Sequence, residues 1–152
     1  LKNDQSSLNF ITNTPQENNI PEQLISIDSK KANEKSIDYY AFLNRAKQQE
    51  YKNLLTLYTE MKREYPSLII PQGVLNTLGL QLIFNPSKAT EGIAVFEFAT
   101  TLYPESANLY DSLAEGYVYL GDIEKAIANF KKSLVLNPEN QNAITRLKLL
   151  EK

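Results

Sequence analysis

Glu60 and Glu64 stand one helical turn apart, the spacing at which two carboxylates can share a site and split their proton affinities. Lys62 and Arg63 lie between them, which is the ordinary composition of a solvated helix face. Ser6, Ser7 and Ser112 offer hydroxyls, but a serine attacks only when a base takes its proton. The 152-residue chain has no histidine and no cysteine. This excludes, within the chain, an imidazole base or ligand, any Ser-His-Asp or Cys-His arrangement, thiolate metal sites and disulfides. Carboxylates, lysines and tyrosines remain as proton carriers, and none is grouped as a catalytic site requires. The chain therefore reads as a non-enzyme, with no catalytic residue, cofactor or metal expected.

Charge narrows the partners. A net charge of −2 provides no basic stripe to release counterions from phosphate, so no nucleic acid is expected. Lys131-Lys132 could meet an acidic partner, although cations in the second half of a helix mainly suit its dipole. No run approaches the length of a membrane span. The chain opens on Leu1 with no charged-then-apolar leader, as expected of a processed chain or a piece of a larger one. Nothing in it fixes a compartment.

The elements that position these side chains are helices. Leu109, Tyr110, Leu113, Tyr117 and Leu120 recur at three- and four-residue spacing. Ile123, Ala126, Ile127, Phe130, Leu134 and Leu136 continue the pattern. Between them, Gly121 can take the left-handed conformation that ends a helix, and Asp122 can accept the next helix's first free N–H groups. Pro138 closes the second helix at Asn137. An earlier pair carries Leu75, Leu78-Gly79 and Leu82, then Ile93, Phe96, Ala99 and Leu102, ending on Pro104. Its longer loop at Asn85-Pro86-Ser87 absorbs an insertion, and Gly92 stands where Ala126 stands in the later pair. A first pair runs through Tyr40, Ala41, Phe42, Leu43 and Ala46, with Ile37 before them and Ser36 as candidate cap. It continues through Tyr51, Leu54, Leu55, Tyr58 and Met61 to Pro66. Ile144, Leu147, Leu149 and Leu150 make a last helix, with Asn142, Arg146 and Lys148 between them. Residues 1–35 are rich in Asn, Gln and Ser, lack a helical stripe, and read as a polar segment or linker. Residues 8–11 and 23–28 could each form a short strand.

The pattern Tyr110-x2-Leu113-Ala114-x2-Tyr117, then Ala126-x3-Phe130, then Pro138 resembles the tetratricopeptide repeat, with Tyr110 for the usual Trp and Ala114 for the usual Gly. The resemblance implies an all-α solenoid of antiparallel helix pairs, about three repeats plus a cap. A degenerate repeat occupies residues 36–66, repeats follow at 71–104 and 105–138, and the cap spans 139–152. It also implies a partner-binding inner face lined by the first helix of each pair. That face would carry Asn76, Gln81, Asn108, Asp111, Ser112, Glu115, Val118 and Tyr119, a polar mixture suited to an extended peptide or a partner domain. Tyr110 and Tyr117 belong to the core stripe instead. The Lys/Asn cluster with which some relatives clamp a terminal carboxylate is missing, which argues against chaperone-tail binding. A wider resemblance covers residues 57–149, including Leu102-Tyr103-Pro104-Glu105-Ser106-Ala107-Asn108-Leu109-Tyr110-Asp111-Ser112-Leu113. It is similar to the C-terminal helical extension of bacterial serine hydrolases, esterase-like or β-lactamase-like. It implies an accessory domain whose catalytic part lies elsewhere in a parent protein.

Overall fold

The computed structural model describes residues 39–152. The polar segment, its two candidate strands, and Ser36 and Ile37 lie outside the described residues. Among the described residues there are seven helices and no strand: α1 (Tyr39–Gln48), α2 (Leu54–Glu64), α3 (Gln72–Ile83), α4 (Ala89–Leu102), α5 (Ala107–Leu120), α6 (Ile123–Leu136) and α7 (Gln141–Leu150).

The helix ends follow from local chemistry. α2, α4 and α6 each stop two residues before a proline, and Tyr65, Tyr103 and Asn137 already have φ of −128°, −127° and −140°. Between α5 and α6, Gly121 sits at φ 80°. Its N–H donates to the Val118 carbonyl at 3.0 Å and that of Asp122 to the Tyr117 carbonyl at 2.9 Å, the paired closure of a Schellman turn. The Asp122 carboxylate then accepts from the Lys125 N–H at 3.2 Å, starting α6. Ser106 and Asn140 cap α5 and α7 in the same way.

Pairs α3–α4 and α5–α6 pack most extensively, α4 lies on α5, α6 on α7, and α3 runs beside α5. Phe96, Leu109, Ala114, Ala126, Phe130 and Ala143 are fully buried between them. Backbones approach closely at Gly92. A Cβ there would stand 2.8 Å from the Ile83 amide nitrogen and 2.9 Å from the Gly79 carbonyl oxygen. Ala126 at the corresponding place in the next pair is also wholly buried.

The first pair departs from expectation. Tyr51 is not helical: Glu50, Tyr51 and Asn53 have φ of 52°, 55° and 53°, and α2 begins at Leu54. Left-handed backbone costs roughly 1–2 kcal/mol per ordinary residue. Here it turns the Tyr51 ring into the core, and burying that large side chain offsets part of the cost, by roughly 1.5–3 kcal/mol. Nor does this pair stack like the later ones. α2 lies against α4, with little backbone approach to α3, and Phe42, Tyr58 and Phe98 join α1, α2 and α4 with ring centroids 5.5–6.1 Å apart. The stretch between α2 and α3 buries Leu68 and Ile70 and is held by the Tyr103 hydroxyl, which donates to the Ile70 carbonyl at 2.6 Å.

The apolar stripes also run past the core at their ends. Leu120 and Ile123 are exposed because they flank the Gly121 turn, where the stripe leaves the packed surface. Tyr40, Leu55 and Leu149 are exposed too, and Tyr110 is only half-buried. In their place Ser133, a polar residue three positions beyond Phe130, is completely buried.

Candidate binding groove

α3, α5 and α7, the first helix of successive pairs, share one face, and a groove of about 310 Å³ opens along it. Its lining comes from Leu80, Ile83 and Phe84 at the end of α3, from Glu115, Gly116, Val118 and Tyr119 on α5, and from Arg146 on α7. Phe84 and Tyr119 stand 35 residues apart at equivalent places in two pairs. Their rings meet edge to face with centroids 6.2 Å apart, yet they remain 70% and 47% exposed. Edge-to-face contact aims the positive rim of one ring at the negative face of the other, so the two rings brace each other as a raised lip.

The opposite wall is polar and closed on itself. Arg146 donates to both oxygens of Glu115, from Nε at 2.7 Å and from Nη2 at 2.6 Å, a bidentate pair. The Asn142 side-chain amide donates to Glu115 at 2.9 Å and to both oxygens of Asp111 at 3.2 and 3.0 Å. The Asn140 amide donates to Asp111 and to the Ser133 hydroxyl, both at 2.9 Å, and Ser133 donates to the Ala107 carbonyl at 2.9 Å. This chain of bonds stitches α7 to α5 and α6. Desolvation holds the Asp111 carboxyl above the ordinary carboxylate range, against the pull of the two asparagine amides.

Of the inner-face residues expected from sequence, Glu115, Val118 and Tyr119 line the groove. Asp111 lies on the same face, but its acceptors are taken by Asn140 and Asn142. Asn76, one turn before Leu80, is half-buried, and its Oδ1 is buried without a partner. Ser112 is half-buried, while Gln81 and Asn108 are exposed, and none of the three lines the groove. Sequence reasoning missed Phe84, Gly116 and Arg146, and the floor residues Leu80 and Ile83. The 35-residue step from Phe84 to Tyr119 was the available signal for the first.

Among the described residues, those with chemical potential are spread over separate elements. Glu60 and Glu64 are exposed on α2, Ser112 is half-buried on α5, and Ser6 and Ser7 lie outside the described residues. Among the described residues no group of three His, Cys, Asp or Glu could hold a metal ion, and no helix is long and apolar enough to cross a membrane. Lys131 pairs with Glu151 at 2.7 Å, and Lys132 lies 5.7 Å from the Tyr110 ring centroid. Tyr117 is buried and its hydroxyl donates to Glu97 at 2.6 Å. Burial, then that bond and the carboxylate's charge, push the phenol well above its ordinary value. A second hollow of about 620 Å³ separates the Glu50–Asn53 turn from α4, lined by Thr56, Thr90 and Thr101 as well as by charged groups.

Helix pairs stacked this way, with proline-closed second helices, define a tetratricopeptide-like solenoid. Among solved structures, the first TPR of Spaghetti (RPAP3) bound to HSP90 peptide SRMEEVD is similar to this chain. The likeness covers 77% of this chain and 95% of that one at 18% identity, with a TM-score of 0.52. No model of a known protein family and no curated protein matches the sequence. The resemblance to hydrolase extensions gains no support from these comparisons.

Proposed function

We infer that this chain is a non-catalytic interaction module that holds a segment of a partner protein along the groove of α3, α5 and α7. The observation that carries this is the Phe84–Tyr119 lip. Two large rings are held in one geometry yet left largely in water, above an apolar floor. Aromatic side chains of this kind supply much of the energy at interfaces. The solved structure with a similar fold holds a peptide, which is consistent with this use. Its ligand, SRMEEVD, is acidic. Among the described residues, the cation lining this groove is Arg146, which is already paired with Glu115, so that peptide is expected to bind poorly here.

The alternative, an accessory tail for a serine hydrolase, rests on the string from Leu102 to Leu113. Its residues are spent on the fold: Pro104 follows the end of α4, Ser106 caps α5, and Leu109 and Leu113 are buried. They call for no hydrolase domain.

The test is selection of random twelve-residue peptides displayed on phage against the chain, followed by titration of the enriched peptides. Replacing an interface aromatic commonly costs about 1–2 kcal/mol, so Tyr119→Ala and Phe84→Ala should each weaken binding about 5- to 30-fold. Peptides that bind both variants as well as wild type would move the site off this groove.

A further inference from the structure

Two features of the groove specify what its occupant presents. Its floor is Leu80, Ile83 and Val118 under the aromatic lip, and its two charged groups satisfy one another. A charged side chain entering there would lose its water and, among the described residues, meet only a counter-charge that is already paired, which is costly. An apolar one would exchange water for the floor and the rings at no such cost. The depth of the hollow is set by Gly116. A Cβ on it would stand 2.9 Å from the Cδ1 atoms of Ile83 and Ile93, closer than side chains normally approach. The isoleucine ends would yield, and Ile83 is itself part of the floor.

Resting on the peptide-binding reading above, we propose that the groove takes one uncharged, large apolar side chain of the partner segment as its anchor. The Glu115–Arg146 pair excludes charged anchors, and Gly116 sets the size admitted. The ion pair thus acts as a filter: it is a closed wall while intact, and either half alone would invite the opposite charge. Asn142 and Asp111 hold that wall in place through α7, so the specificity of the groove depends on how α7 docks on α5.

The probes are the N-acetyl amides of tryptophan, leucine, lysine and glutamate, titrated into the full chain while the methyl resonances of Leu80, Ile83 and Val118 are followed by NMR. The tryptophan and leucine amides should give saturable shifts in the millimolar range, and the two charged amides should bind at least tenfold more weakly. Glu115→Gln should raise affinity for the glutamate amide, and Arg146→Gln should raise it for the lysine amide, each at least threefold. Gly116→Ala should weaken the tryptophan amide at least fivefold and the leucine amide less. If that variant does not fold, Leu80→Phe fills the same hollow from the other wall and should weaken tryptophan likewise. No methyl shift with the apolar amides, or equal binding of all four, overturns the proposal. Phage peptides that require Tyr119 yet share an invariant charged residue would overturn it while leaving the peptide-binding reading in place. Apolar amides that bind as ranked, with peptides that ignore Tyr119, would uphold the anchor chemistry and sink the peptide-binding reading.

Discussion

Gly92→Ala provides the sharpest test of how α3 and α4 meet. In a helix interior with free space, glycine to alanine stabilises by about 1 kcal/mol, through propensity and a less flexible unfolded chain. Gly92 lies inside α4, but the added methyl would stand 2.8 Å from the Ile83 amide nitrogen and 2.9 Å from the Gly79 carbonyl oxygen. Those are backbone atoms of α3, so no rotamer change relieves the clash and the helices must separate. Overpacking of this kind costs about 1–3 kcal/mol, and a backbone obstacle places it at the upper end. Subtracting the propensity gain leaves a net loss of about 1–2 kcal/mol, or a melting point lower by about 3–8 °C for a domain of this size. Gly73 is the control, because nothing lies within 4 Å of a Cβ placed there. Gly73→Ala should leave the midpoint unchanged or raise it. Thermal unfolding followed by circular dichroism at 222 nm, with urea titration for the free energy, reads both. A Gly92→Ala protein as stable as wild type would mean that the two backbones are not in contact and that this packing is wrong.

Three further outcomes follow from the same geometry. Tyr117→Ala should cost about 3–5 kcal/mol by urea titration, whereas Tyr117→Phe, which loses only the bond to Glu97, should cost about 0.5–1.5 kcal/mol. Because the folded Asp111 carboxyl is held above its unfolded value, its protonation favours the folded state, and that advantage is lost as pH rises through the folded value. The stability of wild type relative to Asp111→Asn should therefore fall as pH is raised from about 3 to 7, and a difference that grows with pH would refute the assignment. Deleting residues 140–152 removes α7, bares its packing face on α6 and leaves Asp111 and Glu115 without their partners. Light scattering should then show association, and calorimetry a lower midpoint.

The later pairs were legible because their punctuation is local. Gly121-Asp122 and the three prolines act through one or two residues, and periodicity places Leu109, Phe96 and Phe130 inward whatever the partner. The turn before α2 was hidden because two of its three left-handed residues, Glu50 and Tyr51, carry no turn signature. Burial of the Tyr51 ring, a tertiary effect, offsets part of their cost. In the groove, Tyr119 could be found by asking which aromatic lies off the stripe. Arg146 could not, because its role depends on α7 lying beside α5 and bringing the guanidinium to Glu115 across thirty-one positions of sequence. The burial of Ser133 was equally out of reach of the sequence, because its hydroxyl is tolerated in the core only where Ala107 and Asn140 satisfy it.

Stacked helices tend to fray from their ends, since a terminal unit has a neighbour on one side only. The bonded chain from Ala107 through Ser133, Asn140, Asp111 and Asn142 to Glu115 and Arg146 ties α7 into the stack. α7 cannot peel away without breaking bonds to both α5 and α6. Amide exchange should therefore find the amides of α7 slowed together with those of α5. The groove, walled by both helices, would come apart as one unit.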